Sequence, residues 1–104
     1  CSMYQRSGDI GLGVPFNIAS YSALTHILAK HCDLEASEFC YFLGNAHIYD
    51  DHLEKLRLQI KKVPLSFPKI KIREKYEDIE KYGIDDIEII DYKHHDSIKM
   101  DMRK

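Results

Sequence analysis

The sequence has almost no net charge and no long hydrophobic run, and each absence excludes a class of partner. Fifteen basic and 17 acidic residues leave a formal charge of −2, so there is no electrostatic basis for binding nucleic acid or an anionic membrane. No apolar stretch of the sequence approaches the roughly 20 residues of a membrane-spanning helix. Internal repeats and low-complexity linkers are also missing. We therefore expect one folded unit that needs neither a membrane nor a nucleic acid.

Cysteine is scarce as well. Three cysteines, an odd number with no CxxC spacing, argue against a disulfide framework and are typical of reduced thiols, so we expect a cytoplasmic protein. Cys40, His47 and His52 are the one zinc alternative, but their spacing matches no common zinc motif, and we expect no metal. No initiating methionine or signal peptide precedes Cys1. Because Cys1 opens a strand-like run, we expect the sequence to be part of a longer domain.

Hydrophobic periodicity predicts two helices. Apolar residues three and four positions apart predict a helix over 16–31 with a wide apolar face, and Pro15 fits its first turn. His31 suits the negative end of that helix. A second helix is predicted from a capping Asp50 or Asp51 to Lys62. Its expected buried stripe is Leu53, Leu56 and Ile60. Glu54 and Arg57 are expected to form an ion pair on its surface.

The remaining pattern predicts short strands and loops. The apolar run 39–43 predicts a strand buried on both faces that stops at Gly44, and alternation predicts strands at 70–72 and 87–92. Residues 1–5 have the character of a strand end, residues 6–13 and 45–49 of loops, and residues 74–81 of a short surface helix or turn. Strands and helices in this order predict an α+β fold.

The first 17 residues hold several groups suited to a nucleotide. Arg6 and Ser7 offer a planar cation and a hydroxyl for a phosphate; a surface salt bridge and a turn serine are the alternatives. Asn17 offers a donor and an acceptor to a flat heterocycle, or else satisfies backbone groups at the helix start. Gly11 and Gly13 permit close approach to the backbone.

These residues lie in motifs that closely resemble the thymidylate synthase family, and the resemblance covers essentially the whole chain. The synthase half of protozoan bifunctional dihydrofolate reductase–thymidylate synthase is the most similar. The motifs are YQRS at 4–7, Asp9, LG at 12–13, PFNI at 15–18, LGNAHIY at 43–49, FPK at 67–69 and IKM at 98–100. The resemblance implies a mixed sheet with helices packed on one face and a dimer interface on the other, of which residues 1–104 are the C-terminal portion.

The family activity is the reductive methylation of dUMP to dTMP, with 5,10-methylenetetrahydrofolate as donor of both the carbon and the hydride. The resemblance places the nucleophilic cysteine upstream of Cys1, so we expect this portion alone to be inactive. It also implies a homodimer, and no metal. Cys32 and Cys40 are expected at a helix end and in a buried strand, as small hydrophobic residues.

Site residues follow from the resemblance, position by position. It assigns the 5′-phosphate of dUMP to Arg6 and Ser7, the uracil ring to Asn17, and the 3′-hydroxyl to His47 and Tyr49. Gln5 and Asp9 complete the dUMP site, and Arg6, Asp9 and Asn17 are its catalytic members.

The folate site of the resemblance overlaps the dUMP site. Asp9 faces the pterin ring, although a loop acid that binds local N–H groups is the alternative. Leu12, Gly13 and Phe16 lie beside it, and Met100 belongs to a tail that closes over the folate. The family tail usually ends in small apolar residues, whereas this one ends in Arg103 and Lys104.

Three alternatives remain open from the sequence. A pyrimidine-nucleotide hydroxymethylase would share the fold, although Asn17 argues against dCMP as its substrate. A nucleotide-binding or interaction module would lack catalysis. A synthase with a reductase domain upstream would look the same in these residues.

Overall fold

The computed structural model describes residues 1–103 and pairs two segments that lie 38 residues apart in sequence. Strand β1 (Ser2–Asp9) and strand β2 (Cys40–His47) are parallel, in register from Ser2 opposite Cys40 to Asp9 opposite His47. Helix α1 (Gly13–His31) makes the crossover that a parallel pair requires. Lys104, half of the terminal basic pair, lies outside the described residues.

Both strands are longer than the sequence predicts, so the loops expected at 6–13 and at 45–49 are corrected. Ser7 pairs with Asn45 and Asp9 with His47, which leaves only residues 10–12 between β1 and α1. Gly44 does not end β2. A Cβ atom at Gly44 would lie 2.8 Å from the carbonyl oxygen of Arg6, so glycine allows the two strands to pack closely here.

Helix α1 starts three residues before the predicted residue 16 and ends at the predicted His31. Pro15 is its third residue, in the first turn, where a missing N–H breaks no helical hydrogen bond. Lys30 and His31 occupy the last turn, as the helix dipole favours. Asn17 lies one turn inside the helix, so the alternative role of a capping residue does not apply to it.

The second predicted helix is shorter and more exposed than expected. Asp50–His52 form a 3₁₀ turn that leads into helix α2 (Leu53–Gln59), and neither helix start has a side-chain cap. The capping role of Asp50 or Asp51 and the end at Lys62 are therefore wrong. The expected buried stripe is wrong too, since Ile60 is 79% exposed and Leu53 39%. The predicted ion pair of Glu54 and Arg57 is present at 2.6 Å.

The last part of the chain forms the two strands that the alternation predicts, and they pair antiparallel, although the second ends at Ile90 and not at residue 92. Strand β3 (Lys69–Ile72) pairs with strand β4 (Ile87–Ile90), and the connecting segment contains the short 3₁₀ turns Ile79–Lys81 and Ile84–Asp86. Ile72 is buried, whereas Ile89 is 64% exposed, because α1 packs against β3 and leaves this part of β4 uncovered.

Helix α1 contacts both β1 and β3 and so joins two separate two-stranded sheets. The mixture of helices with parallel and antiparallel strands confirms the α+β class; one large sheet with a dimer face stays a prediction. Val14 and Ile72 are the buried hydrophobic residues of the described chain. Phe42 is 60% exposed, so the expectation of a strand buried on both faces is wrong for residues 1–103. Between residues 1 and 103, no helix has the length and apolar character needed to cross a membrane.

Candidate active site

The predicted site residues gather where β1 and β2 end and α1 begins. Gln5, Ser7 and Asp9 alternate along β1, so their side chains share one face of the strand. The carboxyl ends of parallel strands are the usual place for a ligand in folds of this kind. Helix α1 follows after three residues and brings its first turns over the same end.

The Gln5 amide fixes the orientation of Asn17. The Gln5 Nε2 group donates to the Ser7 carbonyl oxygen at 2.8 Å and to Asn17 Oδ1 at 3.0 Å. Asn17 Oδ1 keeps a second lone pair, and both N–H groups of its Nδ2 are without a partner among residues 1–103. Asn17 can therefore offer one acceptor and one donor side by side to a ligand.

Tyr41 holds Gln5 from the other side and was missed from the sequence. Its hydroxyl donates to Gln5 Oε1 at 2.7 Å, so the Gln5 amide has both of its ends bonded and cannot turn over. The sequence places Tyr41 in an apolar run and suggests a packing role. A clue was available, because a tyrosine in such a run still needs a partner for its hydroxyl.

His47 and Tyr49 lie beside Ser7. The Ser7 hydroxyl and His47 Nδ1 are 3.5 Å apart, at the outer limit of a hydrogen bond. The rings of His47 and Tyr49 meet edge to face with their centroids 5.4 Å apart, so both side chains do lie on one side of the chain. The structure thus brings a hydroxyl and two aromatic polar groups together at the carboxyl ends of β1 and β2.

Arg6 differs from these neighbours. It follows Gln5 directly in β1, so its side chain points to the opposite face from Gln5 and Ser7. Arg6 is exposed, and within residues 1–103 no carboxylate lies close enough to pair with it. The surface salt bridge weighed from the sequence is therefore not formed in the described chain, and the guanidinium is available to an anion.

Asp9 binds the turn that follows its strand. Its Oδ1 accepts from the Gly11 N–H at 2.9 Å and its Oδ2 from the Leu12 N–H at 3.2 Å. This is the loop-acid role weighed as the alternative. Each carboxylate oxygen has further acceptor capacity, so the role in the loop leaves room for a ligand N–H. A Cβ atom at Gly13 would lie 3.7 Å from Asp9 Cβ and 3.9 Å from Asn17 Oδ1, which places Gly13 between these two side chains.

Three of the residues predicted for the folate, Leu12, Phe16 and Met100, line one groove. The groove has a volume of about 790 Å³, and Ile60 and Val63 form its opposite wall. Phe16 is 73% exposed and offers an open ring face. The groove brings the start of α1 and the C-terminal tail together, and this is the arrangement that a ligand held by both would need.

Hydrogen bonds hold the tail along this groove. Lys62 Nζ donates to the Asp96 carbonyl oxygen at 3.1 Å. His95 Nε2 donates to the Val63 carbonyl oxygen at 2.8 Å. Arg103 pairs with Asp51 at 2.9 Å. Desolvation would raise the pKa of the Asp51 carboxyl, but hydrogen bonds from Arg103 and from its own backbone outweigh it, and the pKa is lowered.

The zinc alternative of Cys40, His47 and His52 does not fit the geometry of the described chain. Cys40 and His47 occupy the two ends of β2, which puts them about 23 Å apart at the usual rise of a strand. All three cysteines are free. Cys32 lies at the end of α1, as expected, but is exposed and so does not pack as a small hydrophobic residue. Cys40 is half-buried at the start of β2.

Comparison with known proteins gives matches over nearly the whole chain. The family model for thymidylate synthase matches residues 1–104. The bifunctional dihydrofolate reductase–thymidylate synthase of Plasmodium berghei (strain Anka) is 51% identical over 98% of this chain and 17% of its own length. Thymidylate synthase of Saccharomyces cerevisiae is 51% identical over 98% of this chain and 34% of its own length. Thymidylate synthase of human herpesvirus 8 is 50% identical over 98% of this chain and 30% of its own length. The chain therefore spans about a third or less of the length of these relatives.

Proposed function

The chain belongs to the thymidylate synthase family, an enzyme family, and on that premise we propose that the protein containing it methylates dUMP reductively to dTMP. The one-carbon and hydride donor is 5,10-methylenetetrahydrofolate. The observation that carries the proposal is the fixed amide of Asn17, held by the same Gln5 Nε2 group that binds the Ser7 carbonyl oxygen. Residues 1–104 supply binding groups from the C-terminal portion of the synthase domain, and the nucleophilic cysteine comes from outside them.

The orientation of Asn17 suits uracil and disfavours cytosine. Because Gln5 donates to Asn17 Oδ1, the remaining lone pair of that oxygen accepts the N3–H of uracil and Nδ2–H donates to O4. Cytosine presents an acceptor at N3 and a donor at its 4-position, so both contacts would oppose like groups. A site built on such bonds rejects the wrong ring strongly, since its buried polar groups would be left unpaired.

The phosphate and the sugar have partners on either side of this amide. Arg6, which is unpaired within residues 1–103, supplies the cation for the dianionic phosphate, and the Ser7 hydroxyl supplies a second donor. The two point to opposite faces of β1, so we place the phosphate at the free edge of that strand, where both can reach it. His47 and Tyr49 bind the 3′-hydroxyl, which agrees with the closeness of His47 to Ser7.

The folate fits the groove between α1 and the tail. A volume of about 790 Å³ lies within the usual range for a small-molecule site. Leu12 and Phe16 give an apolar wall for the p-aminobenzoyl ring, Gly13 permits close approach, and Met100 covers the ligand from the tail. Asp9 accepts from pterin N–H groups with the lone pairs that its backbone bonds leave free. When bound, the folate supplies both the carbon and the hydride.

Assembly as a homodimer through the sheet is part of the same proposal. Tyr4 and Phe42 are opposite one another in the β1–β2 pair and are 70% and 60% exposed. Apolar side chains of this size on a sheet face favour burial against another surface. Reduced cysteines support a cytoplasmic location.

The proposed function is tested on the full-length protein by following dTMP formation from dUMP and 5,10-methylenetetrahydrofolate. Asn17→Asp is the decisive variant, because a carboxyl at this position should reduce turnover of dUMP and shift binding toward dCMP. Asn45→Asp is the matched control, since it makes the same chemical change on an exposed residue of β2. Unchanged selectivity in Asn17→Asp, or a hydroxymethylated product from the unmodified protein, contradicts the proposal.

A further inference from the structure

His52 is the most deeply buried side chain of the described residues, and no role predicted for the dUMP or folate site uses it. Its exposure is 0%, although histidine is seldom fully buried. It lies in the 3₁₀ turn Asp50–His52 at the start of α2. A buried imidazole must bond through its nitrogen atoms or lose free energy, so the partners of this ring indicate what it does.

One ring nitrogen binds the tail. His52 Nε2 is 2.8 Å from the carbonyl oxygen of Asp101, which can only accept, so Nε2–H is the donor. The neighbouring Asp51 pairs with the Arg103 guanidinium at 2.9 Å. Two consecutive residues of one turn, Asp51 and His52, therefore bind the tail at Arg103 and Asp101.

The other ring nitrogen faces the loop that Asp9 organises. His52 Nδ1 is buried without a hydrogen-bond partner among residues 1–103 and lies 3.9 Å from Asp9 Oδ1. A Cβ atom at Gly11 would come within 2.8 Å of Nδ1. Gly11 is the residue whose N–H binds Asp9 Oδ1, so the absence of a side chain there lets the ring pack directly against the Asp9 loop.

We propose that His52 is a positioning residue that latches the C-terminal tail to the Asp9 loop, so that the tail and the start of α1 together form the folate groove. The inference rests on the proposed function for the identity of the ligand but not for the latch itself. His52 packs against Asp9 and against the ring of Tyr49, but no contact with a substrate is assigned to it, and it acts through Asp101 and Gly11. Asp51 with Arg103 is the weaker, exposed half of the latch, because surface ion pairs contribute little.

The latch is tested first without any substrate, by tryptic cleavage after Lys99 in the full-length protein. Lys99 is exposed in the tail, and cleavage tracks the population of the released tail. His52→Asn removes the donor at the Nε2 position and should speed this cleavage about tenfold, as expected for the loss of one buried hydrogen bond. His52→Gln places an amide N–H near the original Nε2 and should stay within about threefold of the unmodified protein.

His26→Asn is the control, because it makes the same change on an exposed histidine of α1 and should leave the cleavage rate unaltered. If His52→Asn does not fold, Gly11→Ala takes its place. The new methyl group would collide with the ring, whereas Gly83→Ala meets no atom closer than 3.8 Å. Cleavage after Lys99 at the unmodified rate in a folded His52→Asn or Gly11→Ala protein overturns the latch.

The second readout is steady-state kinetics with both substrates. Loss of the latch should raise the KM for the folate about fivefold or more and leave the KM for dUMP within about twofold. Faster cleavage with an unchanged folate KM would show that the latch does not serve the groove, and this overturns the functional half of the inference. An unmodified protein that forms no dTMP contradicts the proposed function alone, since the cleavage experiment still decides the latch.

Discussion

Polar side chains are used differently in the two sheet units of this chain, the β1–α1–β2 unit of residues 2–47 and the β3–β4 unit of residues 69–90. In the second unit several of them bond within the unit. The Tyr76 hydroxyl donates to Asp86 Oδ1 and the Gly83 N–H to Asp86 Oδ2, both at 2.8 Å. Arg73 pairs with Glu88 at 3.4 Å.

The first unit has the same kinds of groups but leaves some of them open. Gln5 is bonded at both ends of its amide, while Asn17 Nδ2 and the Arg6 guanidinium have no partner within residues 1–103. Polar groups that are held in place by hydrogen bonds but keep free donors or acceptors are suited to binding a ligand. A network in which every donor and acceptor has a partner stabilises the fold instead. The comparison teaches that polar groups without a partner on a rigid framework indicate the binding site better than the number of charged residues in a unit does.

The largest expected effect comes from removing the open cation. Arg6→Ala should raise the KM for dUMP at least tenfold, because a hydrogen bond to a charged group contributes about 1.5–3 kcal/mol. Arg73→Ala is the matched control from the β3–β4 unit, since that arginine already has a carboxylate partner. Steady-state kinetics of the full-length protein measure both. An unaltered KM in Arg6→Ala, or an equal rise in Arg73→Ala, would remove the distinction between the two units.

A comparable effect, on stability, is expected for the glycine that lets β1 and β2 pack closely. Gly44→Ala places a methyl group 2.8 Å from the Arg6 carbonyl oxygen, and overpacking of this kind costs about 1–3 kcal/mol of unfolding free energy. Gly83→Ala, in the other unit, meets only Asp86 Oδ2 at 3.8 Å and should be close to neutral. Urea unfolding of both variants gives the comparison, and equal midpoints would show that β1 and β2 do not pack as closely as described.

A smaller effect is expected from the residue that holds Gln5. Tyr41→Phe removes the hydroxyl bond to Gln5 Oε1, worth about 1 kcal/mol, and should raise the KM for dUMP about fivefold. The physical reason is that the Gln5 amide can then turn over and present its oxygen to Asn17 Oδ1. Tyr76→Phe breaks a hydroxyl bond of similar length in the β3–β4 unit and should lower the melting temperature without changing this KM. If Tyr41→Phe binds dUMP normally, Gln5 does not need its second bond.

Local pattern was enough to predict α1, β3 and β4, since each follows from apolar spacing within a few residues of itself. It was not enough for the length of β1 and β2, because Ser7 and Asp9 are held in the strand by partners 38 residues away. The second helix was misjudged for a related reason. Asp50 and Asp51 are of a residue type that often caps helices, but both lie inside the 3₁₀ turn Asp50–His52, and Asp51 pairs with the distant Arg103.

The site divides in the same way. Motif resemblance identified site residues in β1, at the start of α1, at the end of β2 and in the tail. The structure brings six of them to one end of the sheet: Gln5, Ser7, Asp9, Asn17, His47 and Tyr49. Tyr41 and His52 were not found, because their partners are a side chain and a backbone carbonyl far away in sequence. No local spacing records such contacts.

The smallest effect is the response to pH of the hydrogen-bond network around Asp86 in the β3–β4 unit. It is also the effect that sharpens the comparison of the two units most. The Gly83 N–H first, and then the Tyr76 hydroxyl, lower the pKa of Asp86 below its ordinary value of 3.8. The unfolded chain therefore takes up a proton before the folded chain does. The stabilisation from Asp86 is complete above the unfolded pKa and is lost as the pH falls through the lower, folded pKa.

Acidification below about pH 4 should therefore loosen the β3–β4 unit, and the NMR signal of the Gly83 amide should report the change first. Asp86→Asn keeps the size of the side chain but cannot ionise, so its Gly83 signal should lose this pH dependence. The Gly11 amide, which Asp9 holds in the other unit, gives an internal reference from the open site. A Gly83 signal that keeps its acid transition in Asp86→Asn would mean that another carboxylate controls the stability of the β3–β4 unit, and that its network is less closed than its hydrogen bonds indicate.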